Sequence, residues 1–405
     1  MARSGYADLP LHHGHLPLWL AERMTSLGGA IVEAIVLEYG KAEVLKRLSD
    51  PLWFQALGCV LGMDWHSSGI TTSVMGSLKR AVNPKAKELG IYICGGRGKH
   101  SRETPNELLR VADKTGLNGQ DLVRSSKLAA KVDNTAIQDG FQLYLHNFIV
   151  TDDGEWTIVQ QGLNDASGMA RRYHWHSTAF QSFIQAPHAG VTGENQGLIL
   201  NLTDLEANKT RDGILGIARE NPDKMMSEIR KIVMPRHHEV MAKDVNMKRL
   251  GAVLTLAHER DVNQFESLLL LEGLGPRTLQ SLTLVSEVIY GTPSRFTDPA
   301  RFSFAHGGKD GHPFPVPTKI YDETIQTLRN SVEKAKMGVS DKQGAIRQLS
   351  VMAQRIEESF TPGPFFDAVV QKERDDSYKY VGKTVFGDAT PPKQKKDKNG
   401  QLKLF

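Results

Sequence analysis

Two apolar runs of alternating character, residues 141–150 and 155–160, flank Thr151-Asp152-Asp153-Gly154. This pattern commits the chain to an antiparallel β-hairpin. The runs carry the β-branched and aromatic residues that suit a half-buried pleated surface, and Asp-Gly accepts the left-handed backbone of a tight reversal. Such a chain cannot be a helical bundle, so the helical patterns on either side must pack around a sheet.

Those patterns are plain. Ile31, Ile35, Val36 and Tyr39 recur at helical spacing, with Gly40 as the stop. Ser49-Asp50-Pro51 reads as a helix start, with Trp53, Phe54, Leu57 and Val60 on one face. The spacing predicts a third helix over 70–82, a short strand at 91–94 feeding the glycine-rich GGRGKHSR, a helical stretch over 107–132 and a further strand near 198–202. From 204 to the mid-350s the chain reads as helical. The expected fold is α+β: a mixed N-terminal domain with the antiparallel hairpin (1–203), a helical domain (204–360), and a flexible basic tail (361–405) too polar to bury a core of its own.

The 405 residues are 40% hydrophobic and 24% charged, which is ordinary globular composition and excludes a collagenous or wholly disordered chain. The apolar run 31–37 falls far short of the ~20 residues that span a bilayer, and MARSGYADLPLHHGHLP carries no signal pattern, so a cytoplasmic, nucleoid-associated location is expected. Cys59 and Cys94 exclude a disulfide framework or a four-cysteine zinc site, and both read as buried core thiols. A net charge of +4 permits a nucleic-acid partner without requiring one.

The sharpest local motif is QFESLLLLEGLGPRTLQSLTLVSEVIY, residues 264–290. An apolar helix running to Glu272, the turn Gly273-Leu274-Gly275 and a second helix opened by Pro276 resemble a helix-hairpin-helix DNA-binding motif. The glycines would bring backbone N–H groups close to a phosphate, aided by the positive end of the second helix. Leu274 would plug the space between the helices, while Arg277 and Thr278 would add phosphate contacts. Binding of this kind is independent of base sequence. A plain αα-hairpin is the alternative. DNA glycosylases with this motif carry a catalytic Asp after a following Gly/Pro loop. Here Pro315-Val316-Pro317 puts proline in that place, and Arg277 and Thr278 stand where bifunctional members have a lysine.

The chain ends Gln401-Leu402-Lys403-Leu404-Phe405, similar to the short peptide by which bacterial polymerases and repair proteins bind the sliding clamp. Gln401, Leu402, Leu404 and Phe405 are the expected contacts, with Lys403 at the variable position. Folding back onto the body is the alternative.

Polar groups concentrate in the N-terminal half. His12, His13 and His15 lie together, and Asp64, His66, Asp139 and His146 are the candidate catalytic residues. Asp64, His66 and Asp139 form the candidate site for a divalent metal (Mn or Mg), which would activate water against a phosphodiester. A structural role for each histidine is the alternative. Arg97, Lys99 and Arg102 of GGRGKHSR, and Arg171 and Arg172 beside Tyr173, His174 and Trp175, are candidate DNA contacts. The glycine spacing is not that of a nucleotide-binding P-loop.

LPLHHG, RLSDPLWFQALGCVLGMDWHSSGITTS, QDGFQLYLHNFIVTDDGEWTIVQQG, ARRYHW, the Gly-Leu-Gly hairpin and YGTPSRFTDPARFSFAHGGKDGHPFPV together resemble the family called domain of unknown function 763. The resemblance covers most of residues 7–325 and implies a DNA-binding protein with a suspected nuclease role, without assigning roles to residues. The expected function is a divalent-metal-dependent DNA nuclease tethered to the sliding clamp. A non-enzymatic DNA-binding repair factor is the first alternative and a glycosylase the second.

Overall fold

Asp50 decides how the N-terminal helices break. Its carboxylate accepts the N–H groups of Leu52 (2.9 Å) and Trp53 (3.2 Å) while Pro51 occupies the first helical position, where no N–H is needed. The helical stretch thus divides into α1 (Leu18–Tyr39), α2 (Lys41–Ser49), α3 (Pro51–Val60) and α4 (Gly69–Val82). The computed structural model describes residues 18–63, 68–229, 246–300, 318–336, 338–359, 383–384 and 387–388.

A short α5 (Ala86–Leu89) leads into β1 (Ile91–Arg97), and α6 (Lys99–Arg102) follows. The stretch expected as one helix over 107–132 is two, α7 (Thr104–Thr115) and α8 (Gly119–Lys131). Gly116 ends the first, and the Asn118 side chain caps the second through the N–H groups of Gln120 and Asp121. A single π-helical turn, Val132–Ala136, comes next, followed by β2 (Ile137–Gln138).

The predicted hairpin is β3 (Gln142–Thr151) and β4 (Trp156–Asn164), closed by the Gly154 N–H donating to the Thr151 carbonyl at 3.1 Å. With β5 (Met169–His176) and β6 (Gly190–Thr192) it builds a five-stranded sheet in the order β1-β3-β4-β5-β6, antiparallel throughout. The strand expected near 198–202 is β7 (Leu200–Asn201), which pairs with β2 outside the main sheet.

Both faces of the sheet are covered. On one, Thr157 donates to the Leu45 carbonyl of α2 and Arg172 to Gln55 of α3. On the other, Gln160 donates to the Ala129 carbonyl of α8, and Phe148, Ile158, Tyr173 and Trp175 join a core with α7, α8 and the later helices. Those helices are α9 (Asn208–Arg219), α10 (Pro222–Ile229), α11 (Met247–Glu259), α12 (Phe265–Leu269) and α13 (Pro276–Tyr290), followed by α14 (Thr318–Lys334) and α15 (Val339–Ser359).

The fold is α+β, as expected. The boundary expected at 203/204 falls inside one continuous buried core, which runs from Cys94 through Tyr173 and Leu202 to Leu282 and Ala300. The compact units are instead 1–352 and 353–405. In the second, the described residues are the end of α15 and a minimal antiparallel pair, β8 (Lys383–Thr384) with β9 (Gly387–Asp388). That pair lies in the stretch expected to be a tail without structure. Both cysteines are free and buried, and burial pushes the Cys94 thiol up to about 12, as befits a core residue. Among the described residues no helix is long and apolar enough to cross a membrane.

Candidate functional site

Two of the arginines expected to meet DNA, Arg171 and Arg172, are wholly buried. Arg171 and Arg172 are neighbours on β5, so they point to opposite faces of a sheet that is covered on both. Arg171 is locked between two carboxylates. It contacts Asp139 at 3.0 Å and meets Asp298 with two parallel bonds of 3.0 and 2.7 Å. Arg172 lies over the Phe54 ring and donates to Gln55, Thr71 and His174; among the described residues no carboxylate pairs with it. The aromatic neighbours Tyr173 and Trp175 are buried too, so the segment is core rather than a stacking platform.

GGRGKHSR is likewise not a phosphate-cradling loop. Gly95, Gly96 and Arg97 belong to β1 and pair with Asn147, His146 and Leu145, and the Gly95 N–H donates to Glu107 at 2.6 Å. The Gly98 N–H is likewise engaged, donating to the Tyr144 carbonyl at 2.8 Å. Glycine is required at 95 for another reason: a β-carbon there would stand 2.2 Å from the His146 carbonyl oxygen. Arg97, Lys99 and Arg102 remain exposed, with Arg97 over the Tyr144 ring.

Asp139 does not stand open at the mouth of the hairpin. It accepts from Phe141 N–H, Tyr173 O–H and Arg171, and burial pushes its pKa up to about 6 against the pull of Arg171. Asp64 and His66, its expected metal-binding companions, lie outside the described residues, as do His12, His13 and His15, residues 315–317 and 401–405. Among the described residues no cluster of three or more His, Cys, Asp or Glu side chains is arranged to hold a metal.

His146 is buried with both ring nitrogens bonded, and its tautomer can be derived. The Gln160 amide nitrogen donates to Ala129 O and to Asp133, so the Gln160 oxygen must face His146 Nδ1, 2.6 Å away. Nδ1 therefore carries the proton, and Nε2 accepts from Ser126 O–H at 2.8 Å. Burial lowers the His146 pKa, consistent with this neutral form.

The network centres on Asp133, a fully buried carboxylate on the π-helical turn. One oxygen accepts from Gln160 and from Trp175 Nε1 (3.0 Å), and the other faces His188 Nε2 at 2.5 Å. Neither Asp133 nor His188 was signalled by the sequence. They are 55 positions apart, and no spacing rule joins them.

The turn between α12 and α13 has a definite geometry. Helix α12 ends at Leu269 rather than Glu272, Gly273 takes a left-handed φ of 82°, and Leu274 is 1% exposed between the helices. Gly275 is extended, with φ −129°, so its backbone does not itself demand glycine. Arg277 is exposed, whereas Thr278 is buried. Three side chains hold the turn by its carbonyls: Arg249 on Gly273 O (2.8 Å), Lys131 on Leu274 O (2.6 Å) and Gln138 on Pro276 O (2.9 Å). Across a trans peptide the next N–H points opposite to the carbonyl. With the Leu274 and Pro276 carbonyls turned onto Lys131 and Gln138, the N–H groups of Gly275 and Arg277 face away from those residues. Within α13, the Leu279 N–H bonds back to Gly275 O at 3.0 Å, and the donors before it form the free end of the helix.

The model of the family described as Protein of unknown function (DUF763) matches residues 5–316. No curated protein and no solved structure matches the chain.

Proposed function

The chain belongs to that family, whose description assigns no activity, and from that premise we propose a DNA-processing protein that grips DNA through its phosphates at the 273–278 turn. The observation that carries the reading is the orientation of that turn. Its carbonyls are held by Lys131, Gln138 and Arg249, which leaves the Gly275 and Arg277 N–H groups facing outward at the positive end of a helix. Lys131 and Arg249 add two cations beside the turn. Among the described residues neither is paired with a carboxylate, so they leave unneutralised positive charge behind the turn, on the side of its carbonyls. Leu274 supplies the interhelical plug that a helix-hairpin-helix needs, and a glycine at 275 keeps the approach to a phosphate open.

Gly275 provides the test. Because its φ is extended and a β-carbon there would have only an ordinary 3.8 Å contact with Arg249, Gly275→Val should leave the fold intact. It should still crowd the phosphate and weaken binding to any DNA sequence alike. Loss of one bond to a charged group, about 1.5–3 kcal/mol, corresponds to roughly ten- to a hundredfold in affinity. Fluorescence anisotropy with unrelated duplexes measures it; unchanged affinity in a folded variant refutes the reading.

Divalent-metal-dependent cleavage remains part of the proposal through Asp64 and His66, outside the described residues, because Asp139 is committed to Arg171. Tethering to a sliding clamp rests on the 401–405 peptide alone. A pull-down comparing the intact chain with one lacking those residues decides it, since equal capture would remove the tether.

A further inference from the structure

We propose that Arg97 and Tyr144, with Lys99 and Arg102 beside them, form a second DNA surface, one that takes a single strand by stacking an unpaired base on the Arg97–Tyr144 pair. The inference goes beyond the 273–278 turn and shares with that reading only the partner.

The main sheet is irregular at Tyr144. Leu143 stands opposite Gly162 and Leu145 opposite Gln161, so Tyr144 is an extra residue that bulges β3. A bulge re-aims a side chain out of the alternation of its strand. Here the hydroxyl turns inward and accepts the Gln161 amide N–H at 2.5 Å. Gln161 is itself wholly buried, its amide also donating to Ser68 O and its oxygen accepting from Thr71. The ring is therefore fixed by its polar end while its body stays only half-buried. Arg97, the last residue of β1, lies over that ring with its guanidinium carbon 5.7 Å from the centroid, and it is exposed. A guanidinium seated over an aromatic ring is a platform on which a base can stack.

The charge around the pair is one-sided. Gly98 donates its N–H to Tyr144 O and so starts α6 beside the ring. Lys99 and Arg102 are three residues apart on that helix, which makes them neighbours at about 5–6 Å between β-carbons. Both are exposed. Among the described residues no carboxylate pairs with Arg97, Lys99 or Arg102. The nearest acidic residues along the chain are engaged elsewhere: Glu103 accepts from the Asn106 amide at 3.0 Å, and Glu107 is paired with Lys79. Three cations thus lie within six residues beside an anchored aromatic, at the surface rather than in the core. The run on β5 differs, because Arg171, Arg172, Tyr173 and Trp175 are all closed inside.

The chemistry selects the partner. Closely spaced, unneutralised cations suit a chain of phosphates. An acidic peptide would gain from those cations alone, whereas the stacking pair adds contact only with a flat base. In a duplex the faces of interior bases are covered by their neighbours. A single strand can splay a base out onto the pair.

The test uses the full chain and fluorescence anisotropy over a range of salt, with a labelled single strand and the duplex of the same sequence. The triple variant Arg97→Ala, Lys99→Ala, Arg102→Ala changes exposed positions only. It should lower the slope of log affinity against log salt for the single strand by about two, from three contacts at about 0.7 each, and leave duplex affinity within about threefold. Tyr144→Leu should weaken single-strand binding roughly 5- to 100-fold, the worth of one stacked base, while Tyr144→Phe keeps the ring and stays within about threefold of the native protein. Should Tyr144→Leu not fold, the native protein answers alone: a strand carrying iodouracil, irradiated in the complex, should cross-link to the peptides holding Arg97 or Tyr144. No single-strand binding, an unchanged slope in the triple variant, equal losses on single strand and duplex, or cross-links elsewhere each overturns the proposal. Tighter binding of RNA of the same sequence would overturn the assignment to DNA. Failure of the turn reading looks different: Gly275→Val then keeps full duplex affinity whatever these variants do.

Discussion

Asp139 separates a structural from a metal-binding carboxylate through the sign of a pH effect. The group is fully buried, and Arg171 is shared between it and Asp298, so the cluster holds two carboxylates and one guanidinium. Burial foremost, with Asp298 adding to it, lifts Asp139 from the ordinary 3.8 to about 6. In the folded chain the carboxyl is protonated up to about pH 6, in the unfolded chain only below about 3.8. The folded state thus binds more protons in that window, and the contribution to stability, full below pH 3.8, is lost as the pH rises through 6. At 1.36 kcal/mol per pKa unit the effect is about 3 kcal/mol. Asp139→Asn cannot titrate and leaves Arg171 paired one-to-one with Asp298. Its amide cannot satisfy both Phe141 N–H and the Arg171–Tyr173 pair, which costs about 1–3 kcal/mol. Urea unfolding of both proteins at several pH values between 4 and 7.5 measures the difference. The advantage of the native chain over Asp139→Asn should shrink by about 3 kcal/mol as the pH rises across that range. An advantage that stays constant, or grows with pH as for a carboxylate ionised early by a strong cation, refutes this account of the cluster.

Leu274→Ala removes a buried plug and should cost about 2–5 kcal/mol in urea unfolding; a loss below 1 kcal/mol would mean the two hairpin helices do not depend on it. Arg277→Ala, at an exposed position, should leave stability unchanged and lower the slope of log affinity against log salt by about one, with equal effect on unrelated sequences. An unchanged slope would remove Arg277 from the phosphate contacts.

Local chemistry was readable and long-range chemistry was not. The β3–β4 hairpin could be read because alternation and Asp-Gly act within a few residues, and the α3 start because Asp50 caps its own neighbours. The glycines of GGRG misled: they permit a loop, yet Gly95 serves a close strand-to-strand approach that only the partner strand reveals. The basic-aromatic run on β5 misled in the same way. Alternation says that Arg171 and Arg172 face opposite sides, but only the packing says that both sides are covered, and the Asp298 that neutralises Arg171 is 127 positions away. Asp133 on the π-helical turn and His188 in the connection between β5 and β6 meet from 55 positions apart, so neither residue's neighbours carry a signal of the pair. The hairpin turn is intermediate. Gly273 and Leu274 behave as their types imply, whereas the three side chains that orient the turn come from α8, β2 and α11.

Lys131 turns that support into a measurable coupling. It is partly buried, bonded to Leu274 O and close to Arg249, and burial first, then Arg249, hold its pKa below the ordinary 10.5. A phosphate on the N–H face of the turn, across the peptide from Lys131, would add negative charge to its surroundings and lessen that depression. Binding would then take up a proton wherever free Lys131 is neutral and bound Lys131 is charged. Well below its depressed pKa the lysine is charged in both states, and DNA affinity should be independent of this group. Above it affinity should fall as pH rises, by at most about tenfold per pH unit for one proton. Lys131→Arg keeps its charge throughout. Anisotropy titrations at fixed ionic strength between pH 7 and 10 should therefore show the native protein losing affinity relative to Lys131→Arg toward the alkaline end. Parallel curves for the two proteins would mean that no phosphate at the turn acts on Lys131.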